Sequence, residues 1–347
     1  MRYLVPSPHA FEMAYVAQLQ REPSPPADAV AVGNVFRLLR SFRPAIVHTH
    51  MAKAGTVGRA AALIYNATVG DRARARLVHT YHGHVLDGYF SPRKARAFTT
   101  IERALGRRSD ALIAVSPSVL HDLRDRHHIA GADRFRVIPL GFDLSRFAAI
   151  GAIDRASARR ELGLDADAHV AAFVGRLTAI KQPELFIDAA DRIARVDDRA
   201  RFLVAGGGEL EPSLRAAVSQ RGLTDRIRFL GWQRHLETVY AASDLIAITS
   251  RNEGTPVALI ESMAAGVPGV CFDVGGVSDV IASLDLGVLV PDNDVAALAG
   301  AMRSLFDDRP RREGMGARAR DSVLPRYGVD RLVHDLSGLY RALVSLH

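Results

Sequence analysis

Several things are scarce in this chain of 347 residues, and each scarcity excludes something. A single cysteine, Cys271, leaves no intramolecular disulfide and fits a reducing compartment; on an apolar run it reads as a small buried residue. No apolar run approaches the ~20 residues needed to cross a bilayer, and no basic-then-apolar leader opens the sequence, so the expected location is cytoplasmic. Aromatics make up only 7% and no DNA- or RNA-binding motif is present, so no nucleic-acid partner is expected. Lysine is rarer still. Of 45 basic residues only Lys53, Lys94 and Lys181 are lysines, which marks them for tasks that need a compact point charge.

What is present is an uneven charge. Residues 1–147 carry 21 basic against 11 acidic side chains, a balance of +10, while the remainder is at −3. A basic first half suits an anionic acceptor or the anionic inner face of a membrane, where the protein would sit peripherally. Apolar content of 48% and charged content of 24% are those of a globular protein, and the length allows two domains.

Short apolar strands alternate with amphipathic helices along the chain. Strands are expected at 1–5, 45–50, 77–81, 110–115 and 135–138, with PSPPAD at 23–28 as a loop and helices from 35–42, 57–66, 92–105 and 116–127. Residues 141–155 read as a linker, and a second alternating run follows, ending in a helix near 330–345. The expected architecture is α/β: two Rossmann-like, doubly wound domains facing a cleft, with ligand at the carboxyl ends of the strands. The expected bounds are 1–147, 148–326, and a C-terminal helical segment 327–347 packing back toward the first domain.

The chain is organised around Ser250–Gly276, SRNEGTPVALIESMAAGVPGVCFDVGG. After the buried strand at 245–248, Thr255 reads as an N-cap and Pro256 as the first-turn proline of a helix ending near Ala265. Glu253 and Glu261 stand in an E-x7-E spacing across this unit. Glu253 and Gly254 lie beside a helix N-terminus, where free N–H groups favour a phosphate, and Glu261 lies two turns in. Acids around an anion site suit a ligand with both hydroxyls and phosphates, as a nucleotide-sugar has. The spacing alone favours two solvated glutamates, since such spacing arises often by chance.

Other constellations point the same way. In Val174–Lys181 (VGRLTAIK), Gly175 allows a tight turn after a strand, and Arg176 and Lys181 can converge on one anion. His79-Thr80-Tyr81-His82-Gly83-His84 ends a strand and so stands at a cleft edge, beside His48-x-His50 on its neighbour. Two H-x-H pairs could also ligate zinc. Lys53 opens a helix where it could meet an anionic acceptor or a phosphate, and Gly206-Gly207-Gly208 is a turn after a strand.

In combination, HTYHGHVLDGYFSP, VGRLTAIKQPE and NEGTPVALIESMAAGVPGV resemble bacterial family 4 glycosyltransferases of the GT-B fold. The resemblance runs from about Phe36 to the end. It implies retaining transfer, without a metal or other cofactor, from a nucleotide-diphosphate sugar to a glycan or lipid-linked acceptor in cell-surface polysaccharide synthesis. It implies that His82 and Glu253 act on the sugar and Arg176 and Lys181 on the diphosphate. Glu261 would hold the ribose diol, with Gly175, Gly254 and Thr255 around the nucleotide and Lys53, His84 and Gly207 as further acceptor or phosphate contacts. Two departures stand out. Position 182 is Gln where the family has glycine, and the usual β-α-β opening with its glycine-rich turn is missing before Ala45. An incomplete first domain leaves a nucleotide-sugar binder without activity as an alternative. A nucleotide-sugar epimerase of the same architecture and a metal-dependent hydrolase using the histidines are the others.

Overall fold

The computed structural model describes residues 12–20, 24–83 and 92–345; the strand expected at 1–5 and His84 lie outside them. The first unit holds α1 (Pro25–Phe42), β1 (Ile46–His50), α2 (Ala52–Thr68), β2 (Arg76–Tyr81), α3 (Pro92–Gly106), β3 (Ala111–Ala114), α4 (Pro117–His121) and β4 (Phe135–Val137). Its four strands form one parallel sheet in the order β1-β2-β3-β4.

The second unit begins with α5 (Ser145–Ala148), α6 (Ala152–Glu161), β5 (His169–Val174), α7 (Pro183–Ala194) and β6 (Ala200–Ala205). It continues through α8 (Glu211–Gln220), β7 (Ile227–Gly231), α9 (Glu237–Ala242), β8 (Leu245–Ile248), α10 (Val257–Ala264) and β9 (Gly269–Phe272). It closes with α11 (Val277–Val280), β10 (Gly287–Val290), α12 (Val295–Asp307), α13 (Arg309–Tyr327) and α14 (Val329–Ser345). The sheet order is β10-β9-β8-β5-β6-β7, all parallel. The expected α/β class, with two parallel sheets, is what the chain adopts.

Strands covered on both faces read as continuous apolar runs, and Val170-Ala171-Ala172 and Leu245-Ile246-Ala247 are each fully buried. Their alanines let helices approach the sheet closely, and Phe186 and Ile187 of α7 and Leu259 and Met263 of α10 belong to the same core. The order reverses between β8 and β5, and such a switch opens a crevice at the carboxyl ends of the strands.

The last helix returns to the first sheet. Leu332, Leu336, Leu339 and Tyr340 of α14 pack on Ile46, Val78, Ile113 and Ile138. The entry to α14 is fixed by Phe142 N–H donating to Tyr327 O at 2.8 Å and Val329 N–H donating to Phe142 O at 3.0 Å.

Several local expectations are corrected. PSPPAD is not a loop: α1 starts at Pro25, since proline is tolerated in a first helical turn, and Ser24 N–H donates to the Asp28 carboxylate at 3.0 Å. Thr255 is not the N-cap of α10. That position falls to Pro256, whose ψ of 86° is still non-helical, and the Thr255 hydroxyl is buried with no hydrogen-bond partner. Residues 116–127 do not form one α-helix. After α4 the chain widens into a π turn over Asp122–Arg126, which brings Leu123 and Ile129 both into the core. The expected linker is partly helical, because α6 starts at Ala152 and Gly151 N–H donates to the Asp154 carboxylate at 2.8 Å.

Candidate active site

The loops after β5 and β8 flank the crevice, and backbone geometry ties them together. Thr249, fully buried at the end of β8, donates its hydroxyl to the carbonyls of Lys181 and Gln182, each at 3.0 Å. Arg251 N–H donates to Ile180 O at 2.9 Å. This brings Lys181 Nζ to 2.5 Å from Glu253 Oε1, which also accepts from Ser250 Oγ at 2.6 Å. Gly276 N–H holds the Glu253 carbonyl at 2.8 Å, and Gly275, at φ 50°, lies so close that a Cβ there would meet that carbonyl at 2.2 Å. Glu253 is thus 9% exposed, fixed from three sides and turned into the cleft.

Across the cleft stands the end of β2. A cavity of about 290 Å³ lies between the two units, lined by His79, His82 and Gly83 on one side and by Asn252, Glu253 and Gly254 on the other. The units approach so closely that a Cβ on Gly254 would meet His82 O at 2.6 Å. His82 Nε2 lies 2.9 Å from His50 Nδ1, so one of the two rings donates and the other accepts. His48 bonds Thr80 Oγ1 at 2.7 Å through Nε2 and the Tyr340 hydroxyl through Nδ1. Burial lowers the pKa of His50 and of His82, the latter helped by its neighbour His50. His48 is pushed down to about 4 by burial and by the other two rings. Neutral imidazoles at this edge hydrogen-bond; they do not supply charge. Among the described residues no three His, Cys, Asp or Glu side chains gather as a metal site would.

Residues assigned to the nucleotide lie along the second sheet. Arg176 follows β5 and is exposed. Gly175 and Gly206 interlock: a Cβ on Gly206, at φ 143°, would fall 1.8 Å from Gly175 O. Gly207 O accepts from Leu177 N–H at 3.0 Å, fixing the glycine turn against the Arg176 loop. Glu261 does not line the 290 Å³ cavity. It points toward α9, where its Oε2 accepts from Tyr240 OH at 2.9 Å, and burial raises the pKa of both groups. Lys53 is ion-paired with Asp28 at 2.8 Å, on the α1 side of α2.

Some residues at the site were not legible in the sequence. Glu102, on α3, receives Arg59 Nη2 at 2.7 and 2.8 Å and Tyr81 OH at 2.7 Å, all three side chains being buried. Asp279 of α11 accepts from Ser118 Oγ at 2.6 Å, joining the two units beside the cavity. Nothing local marks either pairing, since the partners are 43 and 161 residues apart. A cavity of about 1010 Å³ lies at the opposite end of the second sheet. Its guanidiniums of Arg155, Arg159 and Arg312 are engaged by Asp244 and by backbone carbonyls, which makes it a structural knot.

Residues 7–146 match the family described as Glycosyltransferase Family 4, and residues 154–322 match Glycosyl transferases group 1. A D-inositol 3-phosphate glycosyltransferase of Nocardia farcinica is 34% identical over 79% of this chain and 61% of its own length. One from Corynebacterium diphtheriae is 31% identical over 87% of this chain and 72% of that protein. A UDP-Gal:alpha-D-GlcNAc-diphosphoundecaprenol alpha-1,3-galactosyltransferase of Escherichia coli is 26% identical over 99% of this chain and 86% of that protein. The chain therefore spans about three fifths of the Nocardia relative and most of the Escherichia one. Sucrose-phosphate synthase from Thermosynechococcus elongatus superposes with a TM-score of 0.79 at 24% identity, covering 93% of this chain and 79% of that one. HepE from Anabaena, solved in complex with UDP, superposes with a TM-score of 0.76 at 21% identity, covering 91% and 82%. The fold is GT-B, and the chain belongs to glycosyltransferase family 4.

Proposed function

We propose that this chain is a retaining glycosyltransferase that moves a sugar from a nucleotide-diphosphate sugar to a glycan or lipid-linked acceptor. The observation that carries the reading is the fixed Lys181–Glu253 pair facing His82 across the cleft. It sets a cation for phosphate beside a carboxylate for sugar hydroxyls, opposite an imidazole that burial keeps neutral. The UDP complex of HepE and the diphosphoundecaprenol acceptor of the Escherichia coli relative support this choice of donor and acceptor.

In this reading Arg176 and Lys181 take the diphosphate, and Glu261, positioned by Tyr240, takes the ribose. The buried, unpartnered Thr255 hydroxyl and the N–H groups near Gly254 meet a phosphate oxygen. As the C1–O bond to the β-phosphate breaks, the two cations offset the charge that gathers there, the part a metal plays elsewhere. The acceptor hydroxyl oxygen bonds to C1 on the face the phosphate leaves, and the departing phosphate oxygen takes its proton, so the anomeric configuration is kept. Glu253 and His82 hydrogen-bond the sugar while positive charge develops at C1. Gly175 and Gly207 keep the backbone close to the nucleotide, and Lys53, once released from Asp28, meets an anionic acceptor.

No helix among the described residues is long and apolar enough to cross a membrane. With a first half at +10, we place the protein in the cytoplasm, peripherally on the anionic inner face of the cell membrane.

Thermal-shift binding of UDP, GDP, ADP and their sugars tests the reading. A ligand at 100 times its Kd adds about 2.7 kcal/mol of stability. A shift lost in Lys181→Ala and Glu261→Ala is the expected result; no shift with any nucleotide overturns it.

A further inference from the structure

The cleft cavity has an unusual charge arrangement. Three carboxylates face it, Glu102, Asp122 and Glu253, and no lysine or arginine lines it among the described residues. Each carboxylate is nonetheless ion-paired, with a cation that is not among the residues lining the cavity. Glu102 is held by Arg59 Nη2 at 2.7 Å, Asp122 by Arg126 Nη1 at 2.8 Å, and Glu253 by Lys181 Nζ at 2.5 Å. The charged residues that line the cavity are therefore acidic ones. An ionised carboxylate offers about four acceptor sites and no donor. Glu102 Oε1 receives one bond from Arg59, so it keeps capacity for another. Phe98, Val119 and Met51 supply the apolar part of the wall, which suits the C–H face of a sugar ring.

We propose that this cavity is a subsite for an uncharged sugar ring, read through its hydroxyl donors by Glu102, Asp122 and Glu253, and closed to sugars that carry a carboxylate. The inference rests on the donor reading above and adds the class of sugar transferred. Rejection of an anion follows from like charge at short range, out of bulk water. The histidines do not reverse this, because the rings facing the cavity are kept neutral by burial. Hydroxyls, by contrast, satisfy acceptors that closure of the cleft would otherwise strip of water.

The test is calorimetric titration of the full chain with UDP, UDP-glucose and UDP-glucuronate, and in parallel with GDP, GDP-mannose and GDP-mannuronate. The proposal expects the neutral nucleotide-sugar to bind at least as tightly as the bare diphosphate. It expects the uronate to bind about tenfold or more weakly than the neutral sugar. In Asp122→Asn and Glu102→Gln that ratio narrows, each variant being referred to its own diphosphate affinity. Glu102 is fully buried against Arg59, so if Glu102→Gln does not fold, the half-buried Asp122→Asn decides. A uronate that binds as well as the neutral sugar, while the diphosphate binds normally, overturns the proposal and leaves the donor reading standing. Discrimination that is unchanged in every folded variant overturns the assignment to these carboxylates. Absence of binding by both diphosphates overturns the donor reading, and the proposal with it.

Discussion

Lys181 Nζ lies 2.5 Å from Glu253 Oε1, across 72 residues of sequence, and the loop that carries each residue hydrogen-bonds the loop of the other. Removing the cation and removing the carboxylate should separate two steps. Lys181→Ala should weaken UDP by about 10- to 100-fold, the worth of a charge-assisted hydrogen bond. Glu253→Gln should leave UDP affinity within a few-fold and lower the transfer rate about a hundredfold, as loss of a preorganised contact at the reacting sugar does. Titration calorimetry and a transfer assay with the same nucleotide-sugar distinguish them.

Gln182 stands where the family has glycine, and its backbone explains the family preference. It sits in the left-handed region at φ 45°, which costs a side-chain-bearing residue about 1–2 kcal/mol. Gln182 Nε2 donates to Asn293 Oδ1 at 2.9 Å, and Asn293 is itself left-handed at φ 61°. Gln182→Ala keeps the strain and loses the bond, so it should destabilise by about 1–2 kcal/mol. Gln182→Gly relieves the strain and should cost less. Urea unfolding of the two variants gives the order, and the reverse order contradicts the account.

Gly254 has room for no side chain, since a Cβ would meet His82 O at 2.6 Å and Gly83 Cα at 3.2 Å. Gly254→Ala should therefore wedge the cleft open. The clash is with backbone at the cleft and not with a core side chain, so the melting temperature should hold while transfer falls about 10²-fold through misplaced reacting groups. A parallel loss of melting temperature would show that the contact is structural.

The buried Arg59–Glu102 pair makes a stability prediction of its own. Glu102→Leu leaves a buried guanidinium without its carboxylate and should cost about 3–5 kcal/mol. Adding Arg59→Met should recover most of that, because a neutral pair needs no compensation. The double-mutant cycle in urea reads the coupling directly.

His79 is 1% exposed, bonds Thr49 Oγ1 at 2.8 Å, and has its pKa pushed from 6.5 down to about 2 by burial first and then by Arg59. The unfolded chain therefore binds a proton that the folded chain does not over the range below pH 6.5. Stability is full above that pH and falls as the pH drops toward 2. By pH 5 the loss should reach about 1–2 kcal/mol. His79→Gln should reduce the dependence between pH 7 and 5 without abolishing it, since His48, held near 4, contributes in the same direction; an unchanged slope would assign it wholly to other groups.

The sequence by itself determined the alternation of strands and helices, because apolar runs of strand length and 3.6-residue periodicity are local properties. Val170–Val174 and Leu245–Ile248 are legible as buried strands for that reason, and the same stretches carry the family motifs at their carboxyl ends. Helix starts were less legible. Ser24-Pro25-Pro26 reads equally as a loop or a first turn, and only the carboxylate of Asp28, four residues on, decides for helix. Thr255 misled because a hydroxyl before a proline has the composition of a cap, while the backbone at Pro256 is not yet helical.

Only the tertiary structure decided which charges meet. Lys181 and Glu253, Glu102 and Arg59, and Ser118 and Asp279 are separated by 72, 43 and 161 residues, and no periodicity relates them. Their pairing depends on two sheets fixing which loops share the cleft, and on burial, which strips water from each group until it takes a partner. The charge facing the cavity is set in the same way. The sequence makes the first half basic, yet among the described residues the charged side chains lining the cavity are the acidic Glu102, Asp122 and Glu253, while their partners Arg59, Arg126 and Lys181 do not line it.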